Sequence, residues 1–477
     1  MFDYRRILMK ILFLYIVPPR RLIPWGFSHG IGSMSAVLKA SGHTTDLLYV
    51  DSLDKGVLQN SLSKDVGLIA ISSTTDQHDL AREVVLFLSA TSDIPIILGG
   101  VHATVAPEEA IETEGLLGIC IGEGEEAILE LVNALEDKKD VRSIQNFWFR
   151  SDGTVIKNSV RPLIKDLDTL PFPDRSIFNY QDIIDKNYDD GAEFMTGRGC
   201  PFQCGFCINK VLQNLYKGKG EFVRYRSVDN VINEIKAVRE EYSHIERITF
   251  QDDILGLKIS WLSEFAEKYA RDIQIPFRCN LRADRVDDAH LRLLKQAGCM
   301  EVWVGVECGS EQLRNSVLKK GITTEQILEA FKLLRKYGLR SKAFNMIGLP
   351  GETAEDIEET IQLNKAIMPD IKSTTIFRPY PGTELYDYCK DKNWLSNRKV
   401  SGYFEESVLD QPTLSKEDTY FYQVLFYYEN IAPRLAGLVR WLNRIRIGPQ
   451  LTLFRLLHNK FLMYRLFTLM KQVGRKA

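Results

Sequence analysis

Glu193-Phe194-Met195-Thr196-Gly197-Arg198-Gly199-Cys200-Pro201-Phe202-Gln203-Cys204-Gly205-Phe206-Cys207 is a short strand running straight into a loop with three cysteines. Its spacing is C-x3-C-x2-C, and the glycines and the proline keep the loop free of helix, so the sulfurs can converge. Three thiolates on one short loop can hold three irons of a 4Fe–4S cubane and leave the fourth iron an open position. Zinc and plain structural thiols are the competing readings. A zinc site normally takes four nitrogen or sulfur ligands in paired spacing, and no second pair or nearby histidine follows. Placement directly after a strand, ahead of five more strand–helix units, adds weight to the cluster.

Downstream of the loop, strands are expected at Glu193–Gly197, Arg247–Gln251, Pro276–Leu281, Glu301–Val306, Lys342–Ile347 and Ser373–Arg378. Helical patterns separate them at Val228–Glu241, Ile259–Ala270, Asp288–Ala297, Thr324–Tyr337 and Ala354–Ala366. Such units in a row curl into a partial barrel with functional groups at the C-terminal strand ends. Upstream, residues 7–137 alternate apolar runs (Ile7–Val17, Asp46–Asp51, Val66–Ser73, Pro95–Gly100, Gly118–Gly122) with helical patterns such as Ile31–Ala40, Leu80–Ser89 and Glu125–Leu135. Runs apolar on both faces belong to strands covered on both sides, so this half is an open, doubly wound α/β sheet of about five parallel strands. Residues 151–189 form a connector: Asp152-Gly153-Thr154 reads as a hairpin turn, and the two prolines of LDTLPFPDRS predict an extended run over the surface. From Lys416 on the pattern is helical. The expected organisation is a Rossmann-like domain over 1–150, the connector, a partial (β/α)6 barrel over 190–395 and a helical region over 396–477.

The 477 residues are 45% hydrophobic and 26% charged, which is globular composition for two to four domains. A net charge of −2 gives no case for nucleic-acid binding. From Arg434 onward there are ten Lys/Arg and no acid, so the rest carries 51 basic against 63 acidic residues. Helices of this composition lie on anionic membrane surfaces, or pack on a barrel with their cations in water. Eight scattered and clustered cysteines in so long a chain suit a reducing cytosol with a metal centre, not a disulfide scaffold. Arg5 and Arg6 before ILMKILFLYIV resemble a signal peptide, but Lys10 interrupts the run and no small-residue cleavage site follows, so a first buried strand is the better reading. No apolar run reaches the ~18 residues of a membrane span.

RGCPFQCGFC resembles the signature of the radical S-adenosylmethionine (SAM) superfamily, with Phe206 before the last cysteine, and the resemblance extends over residues 193–390. It implies that Cys200, Cys204 and Cys207 hold the cluster, that SAM chelates the open iron, and that reduction splits SAM into a 5′-deoxyadenosyl radical. An electron donor such as flavodoxin or ferredoxin is implied with it. FQDDILGL resembles the loop that contacts the methionine end of SAM, through Gln251, Asp252 and Asp253; an ordinary helix N-cap run is the alternative. VGVECGSEQL resembles the fourth-strand segment, with Glu307 accepting from ribose hydroxyls, and NMIGLPGET the fifth-strand turn, with Gly348 near adenine. Phe206 completes the expected SAM set. Arg278, Asn280 and Arg282 alternate on one strand and share a face, which suits a wet cavity or a salt-bridged surface.

The N-terminal half resembles the cobalamin-binding domain of cobalamin-dependent radical SAM enzymes. SMSAVLKASGHTTDLLYVD, ILGGVHATVAPEEA, ICIGEGEEAILEL and LPFPDR carry the resemblance, in that order. It implies cobalamin contacts from Gly99, Gly100 and His102, and from Gly122 and Glu123. Ser72, Ser73 and Thr74 follow the third strand and offer hydroxyls to a nucleotide tail, or cap a helix. The D-x-H-x-x-G motif that supplies a cobalt-ligating histidine is missing from the loop after the first strand. Asp76-Gln77-His78 has the D-x-H spacing at another place and is read as coincidence. The resemblance implies a cytoplasmic methyltransferase: one SAM methylates cobalamin, a second supplies the radical, and methyl passes to an unactivated carbon of a small substrate, a hydrophobic one if the basic tail lies on a membrane. Radical cyclisation or ring rearrangement is the alternative within enzymes, and a non-catalytic cobalamin or iron–sulfur sensor the alternative outside them. The basic tail adds peripheral contact with the inner membrane face.

Overall fold

The computed structural model describes residues 8–18, 26–151, 153–186, 191–398, 406–431, 436–437 and 439–440. Two compact units emerge, one of residues 1–303, 333–340 and 379–387, the other of 304–332, 341–378 and 388–477.

The first unit opens on β1 (Lys10–Ile16), β2 (Thr44–Val50), β3 (Val66–Ser72), β4 (Ile96–Gly99) and β5 (Gly118–Cys120), followed by the hairpin β6 (Phe147–Ser151) and β7 (Thr154–Lys157). The sheet order is β2-β1-β3-β4-β5-β6-β7. The first five strands pair in parallel, as the doubly apolar runs predict, and the hairpin extends the sheet antiparallel. Ile11, Leu12, Phe13 and Leu14 are all buried in succession, which is what coverage of both faces requires. Ser28 caps the helix His29–Ala40, its Oγ accepting from the Ile31 amide. The strand order reverses between β1 and β3, so a crevice opens at the C-terminal ends of those two strands.

The connector does not simply run over the surface. Leu163, Leu167, Arg175 and Phe178 are buried. Asp174 accepts from the Ser35 hydroxyl at 2.5 Å and pairs with Lys39 at 2.7 Å. Next to it the Arg175 guanidinium lies 4.9 Å from the ring centre of Phe27 and 4.8 Å from that of Phe194, and 2.7 Å from the buried Glu234 carboxylate. Adjacent opposite charges thus tie the LPFPDR segment to a helix of the first sheet on one side and to the barrel helix Val228–Glu241 on the other.

The second series comprises β8 (Gly191–Phe194), β9 (Gly197–Arg198), β10 (Arg224–Tyr225), β11 (Arg247–Phe250), β12 (Phe277–Leu281), β13 (Cys299–Glu307), β14 (Arg340–Ile347) and β15 (Ile371–Ile376). Six of these make the parallel sheet β15-β14-β13-β12-β11-β8, while β9 and β10 form a small antiparallel ladder. Phe250, Phe265, Tyr269 and Phe277 pack edge-to-face in the first unit's barrel core, each burial contributing about 1.5–3 kcal/mol. In the second unit, the helix Ala354–Ile367 begins at a capping box between Thr353 and Asp356. The helix Lys416–Ile431 contributes Tyr420, Phe421, Val424 and Leu425 to a core with Ile347, Ile357 and Ile361. No helix among the described residues is long and apolar enough to cross a membrane. Most of the basic tail, residues 441–477, lies outside the described residues.

Candidate active site

The cysteine loop leaves β9 at Gly199, whose φ of +92° takes the left-handed turn that only glycine adopts without strain. A Cβ there would also meet the Phe222 backbone carbon at 3.0 Å. Gln213, on the helix Ile208–Leu215, donates to the carbonyls of Cys200 (2.6 Å) and Phe202 (3.0 Å) and so holds the loop open. Cys200 and Cys204 are buried and Cys207 half-buried, all as free thiols. Burial, with the neighbouring Asp253 and thiols, pushes Cys200 up to about 11 and raises Cys207. Three thiols gathered away from water need a cation before they ionise together. A zinc ion would want a fourth nitrogen or sulfur donor beside them, whereas three thiolates on one loop complement a 4Fe–4S cubane with one open iron.

Two side chains reach the sulfurs. Arg282 Nη1 lies 3.5 Å from Cys204 Sγ; its Nε donates to Asp284 at 3.0 Å and its guanidinium sits 3.6 Å from the Phe202 ring centre. Asn209 Nδ2 lies 3.7 Å from Cys207 Sγ and donates to Asp253 at 3.0 Å. Arg278, Asn280 and Arg282 do share a face: Arg278 donates to Thr249 (2.7 Å), Asn280 to the Asp252 carbonyl (2.9 Å), and Arg282 closes the row at the cluster loop. The Asp252 carboxylate takes the Thr196 amide (3.0 Å) and hydroxyl (2.7 Å), four residues ahead of Cys200. Burial raises its pKa to about 6 against those bonds. The Gln251 backbone amide donates to the Phe194 carbonyl at 2.8 Å. Asp252 and Asp253 thus brace the loop, while Gln251 and, within the loop itself, Phe206 are half-buried.

In the second unit, Glu307 has φ of +72°, a strained conformation for a residue with a Cβ, and accepts from Lys320 Nζ at 2.6 Å. Gly348 also has positive φ, +76°, and its amide donates to Glu352 Oε2 at 2.5 Å. Burial pushes the Glu352 carboxyl up to about 8.

At the crevice of the first sheet lies a cavity of about 350 Å³. Phe13, Ala70, Ile71, Ser72, Gly99, Gly100, Gly122 and Glu123 line it from the strand ends; Arg198, Gly199, Asn209 and Tyr216 line it from the cysteine loop and the helix after it. Gly100 has φ of +93°, and a Cβ there would meet the Ser73 carbonyl at 2.6 Å. Such a mostly apolar slot with few polar groups fits the flat base of a nucleotide tail. Ser72, Gly99, Gly100, Gly122 and Glu123 are brought together here; Ser73, Thr74 and His102 are not on the cavity wall. The Thr74 hydroxyl instead bonds Gln77.

Sequence reasoning missed the groups that bind this cavity to the loop. Glu123 pairs with Arg198 (2.9 Å) and Arg224 (2.8 Å), Glu125 with Arg198 (2.6 Å), and the Tyr216 hydroxyl accepts from the Glu123 amide at 2.7 Å. The acidic run GEGEE and the arginine of RGC were visible, but nothing local in the sequence joins them.

A thiol loop on a parallel-stranded partial barrel, sharing a cavity wall with a doubly wound sheet, defines a cluster protein with a nucleotide-cofactor domain. The family model of the radical SAM superfamily matches residues 194–363, and that of the B12-binding domain matches residues 26–132. The chain thus carries a B12-binding domain followed by a radical SAM domain. It is 29% identical over 361 residues to an uncharacterized methyltransferase of Pyrococcus horikoshii, covering 73% of this chain and 76% of that one. It is 27% identical to the anaerobic magnesium-protoporphyrin IX monomethyl ester cyclase of Rubrivivax gelatinosus, covering 76% of this chain and 66% of that one. Among solved structures, the radical SAM methyltransferase TsrM of Kitasatospora setae, with cobalamin and a 4Fe–4S cluster bound, superimposes with a TM-score of 0.66 at 16% identity, covering 87% and 81% of the two chains. The cobalamin-dependent radical SAM enzyme OxsB does so with a TM-score of 0.69 at 16% identity, covering 94% and 70%. The fold is therefore that of cobalamin-dependent radical SAM proteins.

Proposed function

We propose that the chain is a cobalamin-dependent radical SAM methyltransferase that acts on an unactivated carbon of a small substrate. The observation that carries this reading is the single cavity walled by Gly99, Gly100 and Gly122 on one side and by Gly199 and Asn209, neighbours of Cys200 and Cys207, on the other. Two cofactors held in one unit across such a wall need no large motion to act in sequence. When bound, cluster and SAM supply a carbon-centred radical and cobalamin a methyl group. The protein's own residues position and shield: Cys200, Cys204 and Cys207 hold iron, Arg282 and Asn209 orient two of the sulfurs, and Glu123 fixes the cavity loop through Arg198 and Arg224. Phe206, Gln251, Asp253, Glu307 and Gly348 are proposed to face SAM, and Ser72, Gly99, Gly100 and Gly122 the cobalamin tail. Ring formation is a second reading, favoured by the 27% identity to a cyclase.

The basic, apolar tail supports two finer proposals: contact with an anionic membrane surface, and a hydrophobic substrate. Reduction of the cluster requires an external donor, for which a flavodoxin or ferredoxin is the proposed class. The deciding experiment is anaerobic turnover with SAM, cobalamin and candidate substrates, with S-adenosylhomocysteine and 5′-deoxyadenosine measured together. Equal formation of both supports methyl transfer; 5′-deoxyadenosine without S-adenosylhomocysteine overturns it in favour of cyclisation.

A further inference from the structure

Behind the Gly100 turn, away from the cavity wall, two histidines stack with ring centres 3.8 Å apart. His78 starts the helix His78–Thr91 after β3, and His102 lies in the short helix Val101–Val105 after β4. Both are at least 97% buried, at 3% and 1% exposure. Yet both ring nitrogens of His78, and Nε2 of His102, have no hydrogen-bond partner. Buried imidazole nitrogens without partners are costly, and each is a lone pair or an N–H left unsatisfied. The Glu109 carboxylate, on the helix Pro107–Ile111, stands 3.9 Å from His102 Nε2. One donor atom from each of the three residues falls within 4.8 Å of the other two. The nearby Asp76-Gln77-His78 spacing finds no role in the cobalamin site.

We infer that His78, His102 and Glu109 form a binding site for a divalent first-row transition ion, zinc foremost, separate from the cluster. Two imidazoles and a carboxylate are the donor set such ions select, and calcium or magnesium would want oxygen throughout. The site is prepared in two further respects. Thr75 Oγ1 lies 3.4 Å from His102 Nδ1, so the hydroxyl can fix the tautomer that leaves Nε2 for metal. Glu109 is 59% exposed, which gives an ion a way in and leaves room for water as the remaining ligand. Closing the donors onto an ion with metal–nitrogen distances of about 2.0–2.1 Å asks for side-chain shifts of about an ångström. The ion would clamp the segment after β3 to the segment after β4, whose Ser72, Gly99 and Gly100 line the cavity.

The test uses the full-length, cluster-loaded protein, so that the cysteine loop cannot take zinc. Zinc is titrated in competition with a chromophoric chelator, and bound zinc and iron are counted together. The wild type should bind one zinc per chain with iron unchanged. Glu109→Gln, an exposed substitution that does not threaten the fold, should weaken binding about tenfold or more, and His78→Phe, which keeps the ring stack, should abolish it. Thr75→Val should weaken it by about tenfold through the tautomer. No zinc on the wild type means a stacked pair of neutral imidazoles and nothing more, and zinc bound with equal affinity by wild type and Glu109→Gln places it elsewhere; either result overturns the inference. Should His78→Phe lose its iron through misfolding, the Glu109→Gln result decides alone.

Discussion

Replacing Glu123 by Gln should uncouple the cofactor cavity from the cysteine loop. Its Oε1 accepts from Arg198 (2.9 Å) and Arg224 (2.8 Å), and its Oε2 from Arg224 (3.1 Å) and the Ile164 amide (3.1 Å). The side chains of Glu123, Arg224 and Arg198 are 17%, 6% and 27% exposed, so water screens them little. Without the carboxylate, Arg224 keeps only the Ile164 carbonyl at 2.7 Å, whereas Arg198 keeps Glu125. Stranding a fully buried charge costs about 3–5 kcal/mol; with Arg198 still paired and partly wet, about 2–4 kcal/mol is expected here. The assay is a urea midpoint series on wild type, Glu123→Gln, Arg224→Met and the double variant. In the Arg224→Met background the Glu123 substitution should cost under about 1 kcal/mol, because the stranded charge is gone. Burial alone would raise the Glu123 pKa, but the two arginines outweigh it and hold it below the usual carboxylate range. Its stabilisation is therefore present above about pH 4.3 and lost as pH falls through the depressed value, so wild type and variant should converge in acid. A cost below about 1 kcal/mol in the wild-type background, or strict additivity in the cycle, would refute the reasoning.

Arg282→Met should move the cluster's midpoint potential to more negative values in an electron paramagnetic resonance titration, because a cation and a donor to Cys204 Sγ are both removed; an unchanged potential with full iron content contradicts that role. Glu352→Gln should flatten the pH dependence of thermal stability. Burial raises the folded pKa of Glu352 to about 8, so its contribution is complete below about pH 4.3 and declines as pH rises toward 8. Between about pH 6 and about pH 8.5 the wild type should lose more melting temperature than the variant, and equal losses exclude the assignment. Removal of residues 434–477 should reduce co-sedimentation with anionic vesicles, and added salt should reduce it for the full chain, since each basic residue near such a surface contributes ~1 kcal/mol; equal sedimentation of both chains argues for ordinary packing helices.

Local signals carried most of the fold into the sequence. Helices Val228–Glu241 and Asp288–Ala297 were legible to the residue because Ser227 and Asp287 cap them. The alternation of Arg278, Asn280 and Arg282 placed all three on one face. Contacts distant in sequence left no such trace. The DGT turn was readable, but the docking of its hairpin on β5 depends on pairing Gly118 with Phe149. Asp252 looked like a free acceptor until its carboxylate was found on Thr196, 56 positions earlier. The connector reads as a surface run because prolines break its period, yet Arg175 is buried against Glu234. Glu123 looked like a cofactor contact; its partners Arg198 and Arg224 lie 75 and 101 positions away.

Production of 5′-deoxyadenosine tests the central claim most directly. Protein reconstituted anaerobically with iron and sulfide is incubated with SAM and dithionite, and the nucleoside is quantified by mass spectrometry alongside iron content. Wild type, Cys120→Ala and Cys389→Ala should carry one 4Fe–4S cluster and release 5′-deoxyadenosine, while Cys200→Ala, Cys204→Ala and Cys207→Ala should do neither. Retention of the cluster or of 5′-deoxyadenosine release by Cys204→Ala would contradict the account.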